Sequence, residues 1–214
     1  LQGQDFINYG DKHMSMQRFF TRALGAGAMA ALMLALAGCG INNIPRYDQQ
    51  VQAAWAQVQN EYQRRADLVP NLVSTVKGYA AHEDKVLTEV TEARARVSQT
   101  QIPANILTNP QAFKQFEQNQ ATLSGALSRL MVVTENYPNL KADQGFLTLQ
   151  SQLEGTENRI AVARRDYILA VQQYNTELTT IPGRWYRSMF YGDKQVMQSF
   201  TAEQGAQNAP KVQF

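Results

Sequence analysis

Asn109–Tyr137 reads NPQAFKQFEQNQATLSGALSRLMVVTENY. Asn109 followed by Pro110 supplies an N-cap and a first helical residue whose missing N–H would have no partner there anyway. Behind them Phe113, Phe116, Gln120, Leu123, Leu127, Leu130, Thr134 and Tyr137 advance by threes and fours without a slip. That is one stripe of an amphipathic α-helix; a half-buried strand would alternate every second residue.

Toward the N-terminus a similar stripe runs through Val51, Trp55, Val58, Tyr62, Ala66, Val69, Val73, Val76, Ala80, Leu87, Val90 and Val97. Its steps mostly alternate between four and three, with a stutter at Tyr62 where two fours adjoin. A continuous helix from Tyr47 to Gln99 would be about 80 Å long at 1.5 Å per residue. Pro70 lacks a backbone donor and presses on the preceding turn, so the sequence predicts a kink near Ala66 to Val69 or a break there. Gly78 adds local weakness. Ser98 to Asn109, with Pro103, reads as a loop.

Toward the C-terminus, Tyr137-Pro138-Asn139 reads as a tight turn. The next helix carries Phe146, Leu149, Leu153, Ile160, Tyr167, Val171, Tyr174, Leu178 and Ile181 on one face and ends at Pro182-Gly183. No run alternates with period two, and short connections between long helices make neighbours antiparallel. The expected fold is all-α, an up-and-down bundle over residues 47–183. An aromatic segment and polar tail, 184–214, follow it; the tail, polar from Gln195, is expected to fray, the alternative being that its alternating Val212 and Phe214 add as a strand to a partner sheet.

The chain has 214 residues, 44% of them hydrophobic, enough for one domain with a real core once an addressing segment is set aside. From Cys39 onward there are 17 Lys and Arg (20 minus Lys12, Arg18 and Arg22) against 16 Asp and Glu (18 minus Asp5 and Asp11). A balance of +1 with interspersed signs gives no basic face for nucleic acid. Cys39 is the single cysteine, so an internal disulfide framework is excluded.

The segment 14–38 has the order of an export signal: basic around Arg18 and Arg22, uncharged from Ala23 to Leu36, small at the end. Its apolar part is shorter than the roughly 20 residues that span hydrocarbon. Leu36-Ala37-Gly38-Cys39 resembles the bacterial lipoprotein box, which implies cleavage between Gly38 and Cys39 and lipidation of the Cys39 thiol. Gly40, where an Asp commonly means inner-membrane retention, leans toward the outer membrane. The alternative is an uncleaved transmembrane helix over Phe19 to Ile41. Residues 1–13 match no signal grammar and read as an extension, and 39–46 as a short polar tether.

Two segments carry a family resemblance. One is Arg64-Arg65-Ala66-Asp67-Leu68-Val69-Pro70-Asn71-Leu72-Val73, continuing to Val76-Lys77-Gly78-Tyr79-Ala80 and His82-Glu83. The other is Glu157-Asn158-Arg159-Ile160-Ala161-Val162-Ala163-Arg164-Arg165-Asp166-Tyr167, with Val171, Tyr174 and Asn175 in register behind it. With the ending Ala209 to Phe214, they resemble the LemA family over Ile44 to Phe214. The resemblance implies a four-helix bundle on a membrane anchor, in bacterial proteins with no established enzymatic activity. Family members often retain an N-terminal membrane helix, so the lipoprotein box is a departure.

Chemistry has few places to reside. His82-Glu83 would need a histidine at 86 to form a zinc-peptidase helix, and Val86 stands there. Only His13 and His82 exist, so neither a histidine metal site nor a conventional triad can be assembled, and no Glu-x-x-His pairs occur. No catalytic residue, metal or cofactor is expected, and a metal-binding or enzymatic bundle is the weaker alternative. Charges near the seam, Arg64, Asp67, Glu157, Arg159, Arg164, Arg165 and Asp166, either fix helix register or bind a partner. Trp185, Tyr186, Phe190 and Tyr191 either meet a lipid interface or a partner, or cap the open end of the bundle. The expected role is a noncatalytic scaffold or adaptor in the bacterial envelope, held to a membrane, docking other envelope proteins or its own copies.

Overall fold

The computed structural model describes residues 40–201. The signal segment, Gly38, Cys39 and the last residues of the tail lie outside them. Among the described residues six α-helices follow one another: α1 Asn43–Tyr79, α2 Asp84–Gln99, α3 Pro110–Thr134, the short α4 Pro138–Lys141, α5 Gln144–Thr179 and α6 Gly183–Phe190. A 3-10 turn, Ile106–Thr108, precedes α3. No strand occurs among the described residues.

The core explains the topology. At one end Ile44, Trp55 and Tyr62 of α1 pack with Phe113 and Phe116 of α3 and with Ile160, Tyr167 and Leu178 of α5. At the other, Val69 and Val76 of α1 meet Leu87 and Val90 of α2, Leu123 and Leu130 of α3, and Phe146 and Leu153 of α5. Early α1 therefore meets early α3 and late α5, and the helices run up, down, up, down. At 37 and 36 residues, α1 and α5 are each about 55 Å long. The 16-residue α2 covers only half of that. The rest of the fourth position is filled by the 3-10 turn, through Ile106 and Leu107, and by the segment after α6, through Met197 and Phe200.

Several sequence expectations change. The first helix starts at Asn43, earlier than expected, and Ile44 is wholly buried rather than part of a polar tether. It does not break at Pro70, which sits exposed inside an unbroken α1. The break comes at Ala80–Glu83, just past Gly78.

Continuity through the proline has a local cause. Pro70 cannot donate to the carbonyl four residues back, and that carbonyl, Ala66 O, instead accepts from Arg94 Nε of α2 at 3.2 Å. Removing this donor by Arg94→Ala is expected to destabilise the bundle by about 1 kcal/mol. In a Pro70→Ala background the same change should cost measurably less in urea denaturation, because residue 70 then supplies the N–H. Equal costs in both backgrounds would sink the assignment.

The helix starts obey their capping residues. Asn109 Oδ1 accepts from the N–H groups of Gln111 and Ala112, with Pro110 at the first helical position. Asp143 Oδ1 accepts from Phe146 N–H at 2.8 Å, which with the Tyr79 hydroxyl holds its carboxyl below the usual carboxylate range. The Tyr79 bond also ties the end of α1 to the start of α5.

Helix α5 ends before its expected last seam residue: Ile181 lies beyond it and is 63% exposed. Gly183 opens α6 against the end of α5, and a Cβ there would stand 2.0 Å from Glu177 O. Only glycine allows that approach.

Candidate functional site

Between the two core clusters lies a layer of polar and charged side chains. Its centre is Arg65 of α1, 1% exposed. The guanidinium donates through Nη1 to Ser124 Oγ (2.5 Å) and Glu157 Oε1 (3.0 Å). Through Nη2 it donates to Gln120 Oε1 (2.7 Å) and Gln120 O (3.1 Å). Its Cζ stands 5.0 Å from the Tyr62 ring centroid, and Nε is buried with no partner among the described residues. One side chain thus joins α1, α3 and α5. A planar fork with several donors suits acceptors on two sides better than an ammonium would.

A second pair completes the layer. Arg159 Nε donates to Glu61 Oε2 at 3.1 Å and its Nη2 to Thr156 Oγ1 at 2.9 Å, while Gln57 Nε2 donates to the other Glu61 oxygen. Glu61, Arg65, Glu157 and Arg159 sum to zero charge. A layer of this kind, with Arg65 and Glu61 buried and their partners at the rim, is a weak source of net stability, since desolvation offsets much of the attraction, but it penalises every register that unpairs it.

Beside this layer a groove of about 450 Å³ opens between α3 and α5, with Arg65, Gln120 and Ser124 at its base. Lys114, Glu117, Glu157 and Arg164 form its charged walls, and Phe200 and Thr201 close one end. Burial pushes the Glu117 carboxyl up, against the opposing pull of the Thr201 N–H and Arg164. Burial likewise raises the Tyr62 hydroxyl. A smaller cleft of about 280 Å³ lies on the other flank, among Gln63, Val97, Ile102 and Asn119.

The residues expected from sequence divide cleanly. Glu157 and Arg159 stand at the solvent-facing rim of the polar layer, pairing with Arg65 and Glu61, and Arg164 stands 4.5 Å over the Phe200 ring at the groove's end. Arg64 and Asp67 lie on the outer face of α1, Asp67 bonded to Gln63, and Arg165 pairs with Asp166 at the surface. Tyr186 and Tyr191 pack on the core as an end cap, whereas Trp185 and Phe190 point outward.

Sequence reasoning misses Glu61, Ser124 and Thr156 altogether, and Arg65 enters it only within the first family segment. The signal for them was the stutter at Tyr62. Admitting Arg65 and Leu72 to the seam turns Val51, Trp55, Val58, Tyr62, Arg65, Val69, Leu72 and Val76 into an unbroken alternation of fours and threes. Gln120 already lay in the regular stripe of α3.

The tail was expected to fray from Gln195, and the structure corrects this for residues up to 201. Asn175 pairs with the Met197 backbone as a peptide would, Nδ2 donating to Met197 O and Oδ1 accepting from Met197 N–H, both at 2.9 Å. The Tyr167 hydroxyl donates to Gln198 O, and Gln198 N–H to Leu107 O. Phe200 then inserts beside Trp55, Phe113 and Tyr167, with centroids 5.1–6.4 Å away.

In the same cluster the Tyr174 hydroxyl is buried without a partner among the described residues, and burial pushes its pKa up to about 12. Tyr174→Phe is therefore expected to stabilise by about 1 kcal/mol. A fall in Tm would show that the hydroxyl is satisfied.

Among the described residues no group of three or more His, Cys, Asp or Glu could hold a metal ion, and no helix is long and apolar enough to cross a membrane. The fold and site define an all-α bundle protein whose long helices are keyed together by one buried arginine. The chain belongs to the LemA family, which matches residues 54–214. It is similar to magnetosome proteins MamQ 2 and MamQ 1 of Paramagnetospirillum magneticum, each 27% identical over 75% of this chain and 69% of theirs. It is also similar to protein LemA of Metamycoplasma hominis, 24% identical over 65% of this chain and 59% of that one.

Proposed function

We infer that this LemA-family chain is a membrane-tethered envelope lipoprotein, held by acyl chains on Cys39, whose bundle docks another envelope protein without catalysing a reaction. The observation that carries the docking role is the groove between α3 and α5. Its base is the Arg65 layer, and its walls carry both signs of charge through Lys114, Arg164, Glu117 and Glu157. Such a surface suits an extended polar segment of a partner, because each wall charge can be matched without a large net field. The tether rests on the sequence Leu36-Ala37-Gly38-Cys39 behind an apolar run. Acyl chains on one cysteine hold a protein to one leaflet, each buried methylene contributing about 0.8 kcal/mol.

The two parts are tested separately. Cys39→Ser is expected to abolish signal processing and an acyl mass on the N-terminal peptide. Unchanged processing, with no acyl mass on the wild type, overturns the lipoprotein reading in favour of an uncleaved membrane helix. Crosslinking the native protein in cells and identifying neighbours by mass spectrometry tests the adaptor role. Self-contacts alone would make the protein a spacer or an oligomer instead.

A further inference from the structure

The outward face of α6 and the turn before it has no work inside the bundle. Ile181 is 63% exposed, Trp185 58%, Met189 68% and Phe190 58%. Tyr186 and Tyr191 hold the helix to the core from its other side. Trp185 and Met189 are four apart on α6 and share one face, with Phe190 beside them and Ile181 in the turn before the helix. Exposed Arg184 flanks this face.

The position of this patch decides what it meets. Ile44, at the start of α1, and Leu178, at the end of α5, share the core cluster against which Tyr186 packs. The patch is thus at the end of the bundle where the chain enters. Cys39 precedes Ile44 by five residues, which span at most about 18 Å. A membrane holding the chain at Cys39 therefore lies within that distance of the entry end.

We propose that the Ile181–Phe190 face lies in the headgroup zone of the bilayer, so that α6 is a second, interfacial contact beside the tether. This rests on the reading that the chain is membrane-held, by acyl chains or by a retained helix. Tryptophan and phenylalanine beside arginine match that zone, which takes the apolar ring on one side and the cation at the phosphate on the other. Four side chains about 60% exposed offer on the order of 400 Å², short of the roughly 800 Å² per partner of a stable protein interface. A tethered bilayer needs no such area, because the tether has already brought the surface close.

Protein extracted from cell membranes is reconstituted into phosphatidylethanolamine and phosphatidylglycerol vesicles whose acyl chains carry bromine near the headgroup. The chain has two tryptophans; Trp55 is buried among aromatic rings and serves as the internal control. The difference between wild type and Trp185→Phe isolates Trp185. Roughly half of its emission is expected to be lost to the brominated lipid, with a blue-shifted maximum, while Trp55 emission holds. Vesicle-bound protein whose Trp185 emission is unquenched overturns the proposal. A blue-shifted but unquenched Trp185 does so too, and points to a second copy on this face. If the protein does not sediment with vesicles at all, the membrane-held reading falls and takes this inference with it.

Discussion

Arg65→Met is expected to cost about 3 kcal/mol in urea denaturation. The change keeps most of the side-chain volume, so the loss is of pairing rather than of packing. Without the guanidinium, the Gln120 side chain and Ser124 hydroxyl lose their donor at the foot of the groove, and Glu157 loses its cation. Glu157 is 42% exposed at its side chain and can regain water, which places the estimate at the lower end of the range for broken buried pairs. Arg65→Lys is not expected to rescue, because an ammonium cannot reach acceptors on two sides of a planar fork. The comparison is Arg165→Met, in the other of the two family segments and paired with Asp166 at the surface; it should lie within about 0.5 kcal/mol of wild type. Equal effects for the two arginines would remove the keying role.

Phe200→Ala is expected to cost about 3 kcal/mol, near the low end for large aromatic truncations because a chain segment outside a helix can partly collapse into the space. The ring occupies a place among Trp55, Phe113 and Tyr167 that no helix fills. The cost should come with a local signature. Amide exchange at Met197 and Gln198 should accelerate well beyond the global change, since their bonds to Asn175 and Leu107 are the other half of the latch. Asn175→Ala should loosen the same amides from the opposite side. Exchange at these two residues that tracks global stability in both variants would mean the segment is not a separate latch.

The periodic part of this architecture was legible in the sequence, because long helices advertise their buried face. The stripe of α3 from Phe113 to Thr134 is buried at every predicted position. What escaped was whatever broke the apolar rule or the period. Arg65 occupies a seam position, yet a search for apolar residues steps over it to Ala66 and invents a stutter. Pro70 looked like a break because the donor that compensates it, Arg94, is 24 residues away in another helix. Met197 and Phe200 belong to a stretch without periodicity, whose place is set by side-chain amide pairing and aromatic contacts that only the fold assembles. Ile181 extended the α5 stripe by one step too many, since the helix stops at Thr179 and the next residues turn away. Of the charged candidates, Glu157 and Arg159 could not be told from Arg165 and Asp166 by spacing alone, because the motif is charged on more than one side of the helix.

A photo-crosslinking residue at Gln118 tests the docking account most directly, because this side chain is exposed on the wall of the groove. Val132, 70% exposed farther along α3 and outside the groove, is the control. Irradiating cells should give a discrete crosslinked band to a different envelope protein from position 118 and none from position 132. Arg65→Met should weaken that band by disturbing the groove's base. Identical crosslinking from both positions, or none from 118 in cells that crosslink the native protein elsewhere, would contradict the groove as the docking surface.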